Sequence, residues 1–148
     1  MPGAEPDIDL AVVDASVVVR WIVPEQGATE ALALLARPID WIAPRLMLTE
    51  VASALRRKVE GGELTRELAA QGLDFVFGTI SRGALRLHRD EVVIRPALTL
   101  AFAHRHKVPD CLYIALAEHT GAATVTADRR LSELARSRSL RTVLLPSA

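Results

Sequence analysis

Four acidic residues are the groups in this chain best suited to chemistry: Asp14, Glu50, Asp110 and Asp128. Asp14 directly follows the apolar, β-branched run 8–13, and Asp128 comes two residues after the run 123–126. Asp110 opens a helical stretch, and Glu50 sits within another, next to Val51 at the edge of its apolar stripe. Taken singly, each Asp also suits a helix N-cap, and Glu50 also suits an ordinary solvated helix position. As a set, three acids at the mouths of elements and one on an inward helix edge can converge in a single pocket. Clustered carboxylates repel one another and resist desolvation. A hard divalent cation relieves both costs, and Mg²⁺ accepts oxygen ligands while keeping several waters. Next to a phosphodiester, such an ion lowers a water's pKa, orients it and stabilises the leaving oxygen. No His or Lys base accompanies the acids in their segments, so activation of water is expected to depend on the metal.

Other reactive side chains fit chemistry less well. His104, His106, His119 and Cys111 match no zinc spacing, and Cys111 is the single thiol. No His–acid arrangement supports Cys111 as a nucleophile. Arg129 and Arg130 could hold phosphates or simply form a solvated helix face. Arg56, Arg57 and Lys58 lie near a helix C-terminus, where the macrodipole alone favours cations. Trp21 and Trp41 read as core or interface residues, and Asp90 and Glu91 precede a helix without needing a catalytic role. Ser16 and Thr126 could orient a carboxylate or a metal-bound water, or serve as caps and strand-end hydrogen bonds.

The elements that must position these groups follow from hydrophobic period. Strands are expected at 8–13, 40–43, 84–88, 123–126 and 142–145. Helices are expected at 26–36, along the stripe Leu48, Val51, Ala52, Leu55 and Val59 up to Gly61–Gly62, and along Ala69, Leu73, Val76, Phe77 and Ile80. A further helix has Pro96 near its start and Ile94, Ala97, Leu98 and Ala101 on its apolar face. The last two are 109–119 and 128–137. Strands alternating with helices argue for a parallel sheet covered on both faces. Ligands bind such sheets beyond the carboxyl ends of the strands, where strand order reverses.

The 148 residues suit one domain, 1–148, with 1–7 as a short flexible tail. Half of them are hydrophobic and only 4% aromatic, so Ala, Leu and Val must carry the core. The longest apolar stretch, 10–19, is broken by Asp14 and is too short for a membrane span. Residues 1–7 lack signal-peptide character, and a lone cysteine fits a cytoplasmic location. Formal net charge is zero and only two of the eighteen basic residues are lysines. Nucleic-acid contact must therefore come from local arginine patches rather than a global field.

The acidic segments resemble those of a known family. Val13-Asp14-Ala15-Ser16 resembles the opening strand and Asp-x-Ser/Thr motif of PIN domains. Leu48-Thr49-Glu50-Val51-Ala52-Ser53-Ala54-Leu55 is similar to their central helix, and 109–118 to their Asp-x-x-Tyr-x-x-Leu-Ala helix. Thr126-Ala127-Asp128-Arg129-Arg130-Leu131 is similar to their Thr-x-Asp-x-x-Leu segment. The motifs occur in the family's order across residues 8–145. Pro109 and Cys111, on either side of Asp110, depart from the usual residues without removing an acid. The wording is most similar to that of VapC-type toxins of bacterial toxin–antitoxin pairs.

The resemblance implies a three-layer PIN-like α/β fold with a central five-stranded parallel sheet. It implies a metal-dependent endoribonuclease using Mg²⁺ or Mn²⁺, with Asp14, Glu50, Asp110 and Asp128 as its metal-binding and catalytic acids. It further implies a homodimer and a small antitoxin that blocks the site. The apolar content around 21–35 and 48–59 suggests a groove between those helices that an apolar antitoxin segment would cover. Two other readings share the acids. One is a housekeeping RNA-processing nuclease of the same fold. The other is a receiver-like phosphoacceptor domain, opposed by the absence of paired acids at the first strand and of a Lys beyond Asp128.

Overall fold

The computed structural model describes residues 7–147. Of the tail expected over 1–7, residues 1–6 lie outside the described residues, while the Asp7 carbonyl accepts a hydrogen bond from Arg141. Five strands, β1 (Leu10–Val13), β2 (Asp40–Pro44), β3 (Leu85–His88), β4 (Ala123–Thr126) and β5 (Thr142–Leu144), form one sheet in the order β3-β2-β1-β4-β5. Every neighbouring pair is parallel. The chain builds outward from β1 to β2 and β3, then crosses to the other side of β1 for β4 and β5. The reversal of strand order therefore falls between β1 and β4, at the strand ends that carry Asp14 and Asp128.

Seven helices flank the sheet among the described residues: α1 (Ala15–Ile22), α2 (Ala28–Leu35), α3 (Leu46–Glu60), α4 (Arg66–Ser81), α5 (Ile94–His104), α6 (Val108–Thr120) and α7 (Arg129–Ser137). Helices α1 to α4 pack among themselves, α6 packs with α5 and α7, and the sheet lies between the two groups. This is the expected three-layer arrangement. The α6 helix is buried at every position from Asp110 to Ala117, because its side chains meet β1, β2 and β4 on one side and neighbouring helices on the other. Pro109 occupies its first turn, where a missing N–H costs little, and Gly121 closes it in the left-handed conformation (φ 74°).

Two features differ from the hydrophobic pattern. Helix α1 has no sequence announcement: Val17, Val18 and Val19 are β-branched and all buried, a run that reads as strand. It is helical because Asp14 ends β1 and the chain must turn back across the sheet. Helix α5 forms, but only Ala97 and Ala101 of its expected apolar face pack into the core. Ala97 and Leu100 are buried, whereas Ile94, Leu98 and Phe102 are exposed along one side.

Between 21–35 and 48–59, Glu25, Glu50, Ala54 and Arg57 line one cavity. Trp21 is buried edge-on against Trp41, with centroids 5.5 Å apart, and donates its indole N–H to the Ala31 carbonyl. Ala31 and Leu34 complete that packing. An apolar groove of about 410 Å³ also lies between α3 and α4, lined by Leu55, Val59, Ala69 and Leu73.

Candidate active site

The four acids come from four different elements and line one cavity of about 250 Å³. Asp14 follows β1 and precedes α1, but its carboxylate caps nothing. Ser16 Oγ donates to Oδ1 at 2.6 Å and Thr126 Oγ1 donates to Oδ2 at 2.8 Å. Each hydroxyl also accepts a backbone N–H from the β4–α7 connection, Ser16 from Ala127 and Thr126 from Asp128. One proton given and one received per hydroxyl ties Asp14 to the neighbouring strand end and fixes both of its oxygens.

Asp128 does cap: its Oδ1 accepts from the N–H groups of Arg130 and Leu131 at the start of α7. The cap and the cavity-lining position are compatible, since Oδ2 is left out of the cap. Asp110 lies within α6, whose N-cap is Lys107, so it is no cap either. It is nearly buried, and its Oδ2 stands 2.8 Å from His106 Nε2. Glu50, half-buried on α3, accepts from the Tyr113 hydroxyl of α6.

Electrostatics divide the acids into two pairs. Burial pushes the Asp14 carboxyl up from 3.8 to about 7, with the two hydroxyl bonds opposing and Asp128 adding repulsion. Burial likewise raises Glu50, with the Tyr113 bond opposing and Asp110 adding repulsion. The Tyr113 phenol is held well above its ordinary value by burial and by Glu50 and Asp14, so it remains a donor. Cations stand at the rim. Arg57 and Lys107 line the cavity beside the acids. Arg20 lines it too, but is committed to the Ser16 and Gln26 carbonyls and to Glu25.

Four carboxylates, two of them destabilised in their charged form, are a donor set suited to a hard divalent cation. Each acid is turned toward its own donor, and among the described residues no three His, Cys, Asp or Glu side chains are gathered tightly enough to hold an ion alone. Any cation held there would have to keep part of its own water shell. His104 and His119 lie outside the cavity, and Cys111 is buried in the core.

Sequence reasoning gave no site role to Tyr113, Arg57, Lys107 or His106. Tyr113 stood within a quoted motif, its partner Glu50 lying 63 residues away. Arg57 also stands in the last turn of α3, where the macrodipole alone favours a cation. His106 precedes Asp110 by one helical turn, a spacing that could have signalled the contact. Arg129 and Arg130, considered as phosphate ligands, do not line the cavity.

With that geometry, a PIN-domain family model matches residues 11–137. The chain is 32% identical over 122 residues to ribonuclease VapC3 of Pyrobaculum aerophilum, spanning 82% of this chain and 92% of that protein. Among solved structures, VapC20 of Mycobacterium tuberculosis, a toxin that cleaves the sarcin–ricin loop, superposes with a TM-score of 0.67 at 16% identity, covering 92% of this chain and 99% of its own. VapBC2 of Rickettsia felis, bound to a DNA fragment from its promoter, superposes with a TM-score of 0.62 at 15% identity, over 93% and 99%.

Proposed function

The chain belongs to the PIN-domain family, and on that premise we propose that it is a metal-dependent endoribonuclease, the toxin of a toxin–antitoxin pair, with Asp14, Glu50, Asp110 and Asp128 as its metal-binding and catalytic acids. The observation that carries the reading is the meeting of these four carboxylates in one cavity at the reversal of strand order. A bound Mg²⁺ or Mn²⁺ would supply Lewis-acid stabilisation and an activated water. The chain's own part is to present oxygens in a fixed array. Ser16 and Thr126 lock Asp14, Tyr113 holds one Glu50 oxygen, and the α7 N-terminus holds one Asp128 oxygen. Arg57 and Lys107 give the otherwise acidic mouth a positive edge for the phosphates of an RNA strand.

The same cavity explains how a small antitoxin would inhibit. An arginine inserted among the acids makes bidentate bonds to them and competes with the cation. The α3–α4 groove is a separate apolar surface, lined from another face of α3 by Ala52, Leu55 and Val59. A second copy of the chain is the natural cover for the exposed Ile94, Leu98 and Phe102 of α5, spaced four residues apart on one helix face.

The test is incubation of the purified chain with structured RNAs, with and without Mg²⁺ or Mn²⁺. Cleavage is expected with either ion, and none from Asp14→Asn or Asp110→Asn variants that keep the wild-type circular dichroism. Full cleavage in excess EDTA sinks the metal mechanism. Expression in bacteria should slow growth for the wild type and not for Asp14→Asn. Unchanged growth with soluble, active wild-type protein favours a housekeeping RNA-processing role instead.

A further inference from the structure

Resting on the reading of the carboxylate cavity as a cation site, we propose that His106 is the positioning residue of Asp110: its imidazole holds Oδ2 and leaves Oδ1 to the cation. Only three residues, Arg105 to Lys107, separate α5 from α6. Arg105 adopts a left-handed conformation (φ 50°, ψ 48°), which a side chain other than glycine's rarely takes, and the His106 N–H returns to the Ala101 carbonyl at 3.1 Å. This turn drives the His106 side chain inward to 8% exposure while Lys107 next to it stays 69% exposed.

The contact has a defined direction. An ionised carboxylate only accepts hydrogen bonds, so the 2.8 Å approach places the ring hydrogen on Nε2. His106 does not line the carboxylate cavity, and its Nε2 is turned to Asp110. It thus acts through the carboxylate and not on substrate. Without it, Lys107, whose Nζ lies 3.9 Å from the same oxygen on an exposed stem, is the remaining cation to claim Oδ2, and would draw the carboxylate toward solvent. His106 then does for Asp110 what Ser16 and Thr126 do for Asp14 and Tyr113 does for Glu50. With it, every one of the four acids has its own donor.

The experiment compares wild type, His106→Ala, His106→Leu and His106→Gln by calorimetric titration with Mn²⁺, metal-free thermal melting, and the kcat and KM for RNA cleavage. Loss of an orienting partner typically costs about 10- to 100-fold in metal affinity. That loss is expected for Ala and for Leu, with a fall in kcat and an unchanged KM. Gln keeps a donor near the position of Nε2 and is expected to restore most of the Mn²⁺ affinity. Leu replaces the volume without the donor, so it serves if the cavity left by Ala unfolds the chain. Wild-type Mn²⁺ affinity in a folded Ala or Leu variant overturns the proposal, as does a Gln variant no better than they are. If Gln alone folds, retained affinity supports the role and a tenfold or greater loss, the size expected for a missing partner, refutes it. A wild-type chain that binds no Mn²⁺ removes the cation reading itself, and this role with it.

Discussion

The Asp14 carboxylate is the most constrained group in the cavity, and its ionisation is tied to the fold. Its pKa is raised from 3.8 to about 7. A carboxyl raised in the folded state favours folding in its protonated form, so that stabilisation is present below 3.8 and is lost as pH rises to about 7. Glu50 is raised by burial in the same sense. Metal-free protein should accordingly melt at progressively lower temperature across that range, and Asp14→Asn should flatten much of the slope. An equally steep decline in the Asn variant would show that other groups dominate. Mn²⁺ favours the ionised acids, so it should raise the melting temperature of wild type at neutral pH more than that of Asp14→Asn. The hydroxyl partners can be weighed separately. Ser16→Ala strips Oδ1 of its donor and the Ala127 N–H of its acceptor, which should cost about 1–2 kcal/mol in denaturant titration.

At the scale of elements, Gly27 is a point where one atom matters. It N-caps α2 at φ 90°, and a Cβ there would stand 2.3 Å from the Pro146 carbonyl and 3.0 Å from Arg20 Nε. Gly27→Ala should destabilise by about 1–3 kcal/mol in denaturant titration, and wild-type stability would show that the segment after β5 yields freely. The elements also show what the sequence could convey. Strand and helix order was legible because apolar period and turn residues agree along most of the chain, as where Gly61–Gly62 stops α3 and Gly121 stops α6. Helix α1 was not, because three consecutive valines carry a strand propensity that the turn after Asp14 overrides. The buried face of α5 was only partly legible: Ala97 was placed on it, but Ile94 and Leu98 are as apolar as Leu100, and only the position of α6 selects between them. The four acids were legible as a set, three from their places near element ends and Glu50 from its place beside the apolar stripe of α3. Their donors were less so: Thr126 and Ser16 stood beside acids in sequence, whereas Tyr113 and His106 acquire meaning only once α3, α5 and α6 are packed.

For the molecule as a whole, the largest exposed side chain on α5 is diagnostic. Phe102 is 78% exposed, in line with Ile94 and Leu98. If a second copy covers this face, the wild type should sediment as a dimer and Phe102→Glu as a monomer, with the monomer's melting temperature little changed because Phe102 contributes little to its own core. A wild-type monomer at micromolar concentration would leave that face to another partner. No helix of the described residues is long and apolar enough to cross a membrane.

The bond from Thr126 to Asp14 joins residues 112 positions apart. While the chain is being synthesised, β1, β2 and β3 can pair with one another, yet Asp14 has neither Thr126 beside it nor Asp128 across the cavity. Contacts of such separation form late, after the intervening chain has been ordered. Until the segment that carries β4 has emerged from the ribosome and docked, the Asp14 carboxylate lacks the donor that fixes its Oδ2.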